Sequence, residues 1–151
     1  MEWIGQLGMG LALGLAAIGS SLGVGAAGCA AAGAWAKEAR EGKALNFKYI
    51  ILVSMPLTQT FYGFLLVFVA LKGMAADPVI LAAKAGTMLS TGIGCGLGEL
   101  FSAWMQGVIG ASAIRCLSEG GGKGMAFLII AMAIAETVGI FSFVLAWLIA
   151  V

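Results

Sequence analysis

Three polar side chains occur in segments of the sequence that are otherwise apolar. Glu136 is the single charged residue between Phe127 and Val151, and Gln59 and Gln106 lie in two other apolar segments. Counted from the segment ends that border basic connections, all three lie 11 or 12 positions in, which is about 17 Å along a helix. An ionised acid at the centre of a membrane helix costs about 2.5–3.5 kcal/mol, so such a residue is usually functional.

Two hydroxyl groups belong to the same layer. Thr58 and Tyr62 are four positions apart, and Gln59 and Tyr62 are three apart, so these side chains share one side of a helix. Pro56 cannot donate a hydrogen bond to the carbonyl of Leu52. The helical turn just before Thr58 and Gln59 is therefore distorted. A carboxylate, two amides and two hydroxyls at one depth are oxygen ligands of the kind that hard cations prefer. Hydrogen bonding that only holds helices together is the alternative for the neutral residues.

The elements that position these residues are membrane helices. The chain of 151 residues is 62% hydrophobic and 10% charged, with a mean hydropathy of +1.08. Four apolar stretches, at about 3–36, 48–72, 79–117 and 124–151, each exceed the roughly 20 residues that cross a bilayer. The first lacks the features of a cleaved signal and is interpreted as a permanent span. The net charge of +1 gives no indication of nucleic acid binding. We predict an all-α membrane protein, a single membrane domain over residues 1–151.

The basic residues predict the orientation of the four helices. The first and third connections and their flanks hold six of them, and the second connection holds two; they are Lys37, Arg40, Lys43, Lys48, Arg115 and Lys123, against Lys72 and Lys84. Because cytoplasmic loops are enriched in Lys and Arg, we expect loops 1–2 and 3–4 in the cytoplasm. Both termini are then on the non-cytoplasmic side of the cell membrane, and the two loops are the natural docking surface for soluble partners.

An internal repeat is also visible. Helix 2 aligns with helix 4 at an offset of 77, and helix 1 with helix 3 at an offset of 78. The chain is therefore predicted to be a duplicated helical hairpin in parallel orientation, with repeats at about 3–72 and 79–151. Glu136 aligns with Gln59, so the two hairpins retain one ionisable group between them.

Small residues predict how the helices pack. Helix 1 contains Gly10-x-x-x-Gly14 and Gly19-x-x-x-Gly23, and helix 3 contains two similar motifs, Gly92-x-x-x-Gly96 and Gly94-x-x-x-Gly98. Glycines four apart let helix backbones approach closely. Helices 1 and 3 are expected to form a tightly curved inner layer, and helices 2 and 4 an outer one. A closed ring of identical copies is the sharper prediction, and a compact monomeric bundle is the alternative.

Three motifs resemble a known family. They are Pro56-Leu-Thr-Gln-Thr-Phe-Tyr-Gly63 on helix 2, Gln106-Gly on helix 3 and Ala135-Glu-Thr137 on helix 4. They resemble the proteolipid of V-type rotary ATPases, the c (or K) subunit of the rotor ring, most closely that of bacterial sodium-translocating members. The resemblance extends over all four helices and includes the duplicated hairpin with one retained carboxylate.

The resemblance implies a rotor. Identical subunits would form a ring that rotates in lipid against a stator a-type membrane subunit, which supplies a fixed arginine. Central-stalk subunits would dock on loops 1–2 and 3–4. ATP would be hydrolysed in a separate soluble sector, so this chain has no catalytic site of its own. The implied ion site consists of Glu136, Thr58, Gln59 and Gln106, with the backbone carbonyl of Met55, while Tyr62 holds Glu136 in its closed position.

The identity of the ion is predicted from the number of oxygens. A proton site needs one carboxyl group, whereas sodium must replace its hydration shell with several protein oxygens. The polar set around Glu136 therefore favours Na+ as the transported ion, with H+ as the alternative. A small non-rotary cation transporter or channel would use the same carboxylate without a ring, and a purely structural proteolipid would not need Glu136.

Glu99 is a second intramembrane acid, and the resemblance does not account for it. It lies in Ile93-Gly-Cys-Gly-Leu-Gly-Glu99, about 18 positions from the cytoplasmic end of helix 3. Because this stretch is rich in glycine, Glu99 is expected to face the ring lumen or a neighbouring subunit. It is expected to be protonated or paired, with a structural role, and an ion-related role remains open.

Overall fold

The computed structural model describes residues 2–150, which fold into four long helices. They are α1 (Glu2–Arg40), α2 (Lys48–Ala76), α3 (Pro78–Glu119) and α4 (Met125–Ala150). All four are long and apolar enough to cross a membrane, and this part of the chain contains no strand. The predicted all-α membrane fold with four transmembrane helices is confirmed.

The connections have local causes. Asp77 begins α3, because its Oδ1 accepts hydrogen bonds from the backbone N–H of Val79 at 2.8 Å and Ile80 at 3.2 Å, with Pro78 in the first turn. Glycines at positive φ form the two other turns: Gly42 lies between α1 and α2, and three more lie between α3 and α4, namely Gly121, Gly122 and Gly124. These two turns lie at the same end of the bundle, since Lys48 Nζ donates to the carbonyl of Gly122 at 3.3 Å.

Helices α1 and α3 run parallel with their backbones in close contact. A Cβ atom added to Gly8 would overlap the carbonyl of Met88, and one added to Gly92 would overlap the carbonyl of Gly8. Further along, Gly23 and Gly107 meet in the same way. This contact requires glycine because there is no room for any side chain. The predicted close approach of the two glycine-rich helices is confirmed.

The glycine motifs do not all have this role. Gly19 and Gly23 contact α3, and Gly96 contacts α1. In contrast, a Cβ atom at Gly10, Gly14 or Gly94 would meet no atom within 4 Å in the protomer. The small-residue surface is therefore divided between an internal helix contact and an open face.

Helix α2 departs from regular α-helical geometry twice. Met55–Leu57 forms a 3-10 turn around Pro56, and Val67–Leu71 forms a π-helical segment. The 3-10 turn follows from proline, which has no N–H to donate to the preceding turn. The result is a local change of pitch just before Thr58 and Gln59.

A polar layer separates two apolar clusters inside the bundle. One cluster is built around Leu66, Leu71 and Met88, and the other around Leu52, Ile114 and Met132. The layer between them consists of buried polar side chains from three helices: Ser20, Gln59, Glu99, Ser102 and Gln106. Because buried polar groups need partners inside a membrane, this layer is where the bundle holds its specific chemistry.

Candidate functional site

Glu136 lies on α4, partly exposed, with both carboxyl oxygens engaged. Oε1 accepts a hydrogen bond from the hydroxyl of Tyr62 at 3.2 Å, and Oε2 accepts one from Nε2 of Gln106 at 3.2 Å. The ring of Tyr62 stacks on Phe143, with centroids 6.1 Å apart and an interplanar angle of 18°. Donors from α2 and α3 therefore hold the carboxylate of α4 in a fixed position.

Two buried amides extend this arrangement into the bundle. Gln59 and Gln106 are 0% exposed, and Nε2 of Gln59 donates to Oε1 of Gln106 at 3.0 Å. The second donor of Gln59 reaches Oγ of Ser102 at 3.1 Å, and that hydroxyl donates to the carbonyl of Ala135 at 2.8 Å. The network links α2, α3 and α4, and it fixes which way each amide oxygen points.

The 3-10 turn of α2 adds a hydroxyl and a carbonyl. Oγ1 of Thr58 lies 2.9 Å from the carbonyl oxygen of Met55 and 3.1 Å from Oε1 of Gln59. The backbone N–H of Thr58 also donates to that carbonyl, because the turn is of the 3-10 type. Pro56 thus has an identifiable effect: it directs the carbonyl of Met55 to the side of the helix that carries Thr58 and Gln59.

The structure brings together all six residues in the predicted set. They form one connected hydrogen-bond network made of Met55, Thr58, Gln59, Tyr62, Gln106 and Glu136. Carboxylate and amide oxygens each have two lone pairs. Each carboxyl oxygen of Glu136, and Oε1 of both glutamines, accepts one hydrogen bond from these neighbours, which leaves capacity for a further positive partner. Cation binding at this set remains a prediction.

Sequence reasoning missed three members of the network. They are the hydroxyl of Ser102 and the carbonyls of Ala135 and Met132, the last of which accepts from Gln106 Nε2 at 3.2 Å. Ser102 could have been found, because it lies four positions before Gln106 and therefore on the same face of α3. The backbone carbonyls give no sequence signal.

The predicted direction of Glu99 is wrong. Its side chain is 0% exposed within the protomer, so it faces neither the ring lumen nor a neighbouring subunit. Its Oε2 lies 2.6 Å from the position that a Cβ atom of Gly139 would occupy, next to Oγ of Ser102. The glycine-rich stretch misled the prediction, since Glu99 turns toward the glycine on α4.

The α1–α2 and α3–α4 turns lie at the end of the bundle that carries most of the lysines and arginines, here called the basic end. The turn between α1 and α2 is held by hydrogen bonds to Glu38. Glu38 accepts from the hydroxyl of Tyr49 at 2.6 Å and from the backbone N–H of Asn46 at 2.9 Å. Nε1 of Trp35 donates to the carbonyl of Asn46 at 3.0 Å. Next to these residues, a cavity of about 480 Å³ opens between the two turns. The sequence analysis did not identify this anchor, and the predicted docking of soluble partners here stays a prediction.

Comparison with known proteins identifies a protein family and a relative. Residues 7–70 and 89–149 match the family model that describes the C subunit of ATP synthase. The A-type ATP synthase subunit K of Methanocaldococcus jannaschii is 31% identical over 152 residues. That similarity covers 98% of this chain, and the chain spans 62% of the length of that relative.

Proposed function

Because this chain belongs to the family of ATP synthase C subunits, whose members form oligomeric rings, we propose that it is the ion-carrying rotor-ring subunit of a V-type rotary ATPase. The observation that carries the proposal is the position of Glu136. Its carboxylate lies on the apolar helix α4, and polar groups of α2 and α3 hold it within a shared network. The chain supplies the ion site, and a separate soluble sector supplies ATP hydrolysis.

The proposed mechanism follows from the charge of Glu136 and from whether the site faces lipid or water. With a cation bound, Glu136 is neutralised and the site crosses lipid at low cost. Without it, the ionised carboxylate stays near water or near a fixed positive charge on the stator a-type subunit. Rotation through lipid is thereby restricted to loaded sites, which couples the movement of the ring to the movement of ions.

We assign Na+ as the transported ion, with H+ as the alternative. The supporting observation is the oxygen set: the carboxylate, two amide oxygens, a hydroxyl and the carbonyl of Met55 belong to one network. A proton would need the carboxylate alone, whereas Na+ needs several oxygens that replace its water. The hydroxyl of Tyr62 then acts as a latch on Glu136 and is not required as a ligand.

The remaining parts of the proposal concern assembly. Two separate segments match the same family model, which supports the duplicated hairpin at about 3–72 and 79–151. The turns at the basic end support a cytoplasmic location for loops 1–2 and 3–4, and hence docking of the central-stalk subunits there. The open glycines Gly10, Gly14 and Gly94 support close packing between identical subunits.

Two measurements test this function. The size of the detergent-extracted particle distinguishes a ring of many copies from a monomeric bundle. ATP-driven uptake of ²²Na+ by vesicles containing the whole complex then tests the coupling ion. We expect a ring and sodium uptake that persists when a protonophore is present. A monomeric particle would support a non-rotary transporter, and ATP-driven acidification without sodium uptake would assign the rotor to protons.

A further inference from the structure

Glu99 is a buried acid that the proposed transport site does not use. Its side chain is 0% exposed, and both carboxyl oxygens lack a hydrogen-bond partner among residues 2–150. Glu136 and Glu38, in contrast, each accept two hydrogen bonds from protein groups. An unpaired acid inside a membrane bundle is unfavourable in its ionised form, so something outside the described hydrogen bonds stabilises it.

The packing leaves room for the carboxyl group. A Cβ atom at Gly139 would lie 2.6 Å from Oε2 of Glu99 and 3.0 Å from Oγ of Ser102. The missing side chain of Gly139 therefore provides the space that Glu99 enters. Ser102 lies three positions after Glu99 on the same face of α3, so one hydroxyl is at the edge of this space. The acid is accommodated by its neighbours, although none of them pairs with it.

No basic side chain of the chain lies at this depth. All eight lysines and arginines lie in the connections or within two turns of a helix end, whereas Glu99 is near the middle of α3. The titratable side chains close enough to interact with it are Glu136 on α4, Tyr62 on α2 and Cys95 on α3, and none of these is a base. A side chain from a neighbouring copy could not contact a group with no exposed surface. A proton or another small monovalent cation meets these conditions.

We propose that Glu99 holds a small monovalent cation of its own, so that every copy of the chain binds two cations, one at Glu136 and one at Glu99. The cation at Glu99 is argued from the burial of that acid in the membrane, whereas the cation at Glu136 and the rotation of the ring rest on the proposed function. The cation at Glu99 stays in place during rotation, because Glu99 is enclosed by the bundle. Glu136 is partly exposed, as an exchanging site requires.

Two cations are candidates for the site at Glu99, namely Na+ and H+. Ser102 supplies one hydroxyl, and that oxygen already donates to Ala135 and accepts from Gln59. Sodium at Glu99 would use the two carboxyl oxygens with this hydroxyl and water, whereas a proton would need the carboxyl group alone. A groove of about 300 Å³ between α3 and α4 is lined by Cys95 and Ser142, one turn from Glu99 and Gly139, and Glu99 itself does not line it.

The test compares purified rings of the wild type, Glu99→Gln and Glu38→Gln at one pH. Equilibrium binding of ²²Na+ counts the sodium ions per subunit, and infrared difference spectra detect the carbonyl band of a protonated carboxylic acid. We expect Glu99→Gln to remove either one sodium per subunit or one protonated-acid band. Glu38→Gln is the matched control, since that buried acid has two protein partners, and it should remove neither.

The same measurements can contradict the proposed cation at Glu99. If Glu99→Gln removes only bands of an ionised carboxylate and leaves the sodium count unchanged, Glu99 has no cation and the proposal fails. Should that ring not assemble, Gly139→Ala replaces it, because the added methyl group crowds Oε2 of Glu99 without removing the acid. A shifted acid band or one lost sodium then supports the proposal, and no change in either contradicts it. Loss of transport in Glu136→Gln is a separate result, so failure of one proposal is distinguishable from failure of the other.

Discussion

The two intramembrane acids of this chain have opposite surroundings. Glu136 is partly exposed and receives one hydrogen bond on each carboxyl oxygen, from Tyr62 and Gln106. Glu99 is fully enclosed and receives none from the described residues. A carboxylate held by donors at an accessible position can release and rebind a cation, because the site keeps its shape when empty. An enclosed acid without donors keeps whatever neutralises it.

The two acids are also positioned by different features of the bundle. At Glu136, polar side chains from three helices converge, and the local 3-10 turn at Pro56 aims a carbonyl toward them. At Glu99, the determining feature is an absent side chain, since Gly139 leaves the space that the carboxyl group fills. The proposed exchange of a cation at Glu136 and its proposed retention at Glu99 therefore rest on hydrogen-bond donors and on exposure, and both can be changed by single substitutions.

The largest expected effect is that of Glu136→Gln. The amide is neutral and nearly isosteric, so the ring should assemble, but it cannot bind and release a cation. ATP-driven ²²Na+ uptake should fall to background in vesicles containing the complex. Glu99→Gln, measured beside it, should lower uptake by less than about threefold, an effect of under 1 kcal/mol. Uptake at the wild-type rate by Glu136→Gln would remove Glu136 from the transport site.

A smaller loss is expected for Gln106→Leu. This change removes the donor to Oε2 of Glu136 and one oxygen of the predicted set. Hydrogen bonds to charged groups contribute about 1.5–3 kcal/mol, so the sodium affinity of the ring should fall by about 10- to 100-fold. Gln6→Leu is the control, since Gln6 is exposed on α1. Equal affinities of the two variants in equilibrium ²²Na+ binding would show that Gln106 is only structural.

Tyr62→Phe should have a weaker effect. It removes a single hydrogen bond of 3.2 Å and keeps the ring that stacks on Phe143. At the lower end of the range for hydrogen bonds to charged groups, a loss of about 1.5 kcal/mol corresponds to about tenfold weaker sodium binding. If the hydroxyl is a latch, the variant should also release sodium faster, which a filter-binding exchange experiment measures. An unchanged release rate would contradict the latch.

The smallest effect on sodium is expected for Tyr49→Phe. Tyr49 is the other of the two tyrosines of the chain, and its hydroxyl donates to Glu38 at the basic end of the bundle. Loss of this bond should destabilise the loops by about 1–3 kcal/mol, because a buried carboxyl oxygen loses its partner. Thermal unfolding of the ring should therefore occur at lower temperature while sodium affinity is retained. A drop in affinity comparable to that of Tyr62→Phe would mean that the two ends of the bundle are coupled.

The sequence predicted the depth of the site better than its details. Equal spacing from the helix ends placed Gln59, Gln106 and Glu136 in one layer, and helical geometry makes such counting reliable. The direction of Glu99 could not be obtained in this way, because it depends on the space that Gly139 leaves on another helix. Likewise, only the packing of α1 on α3 distinguishes Gly23, which is enclosed, from Gly10, which is open.

The central claim is that Glu136 exchanges Na+, and carbodiimide labelling of the purified ring tests it most directly. The reagent reacts with a protonated, unoccupied carboxyl group, so a bound sodium ion protects the acid. At fixed pH, sodium should protect Glu136 in proportion to its binding, and potassium should protect it far less. Labelling of Glu136 that varies with pH and ignores sodium would contradict the account and assign the site to protons.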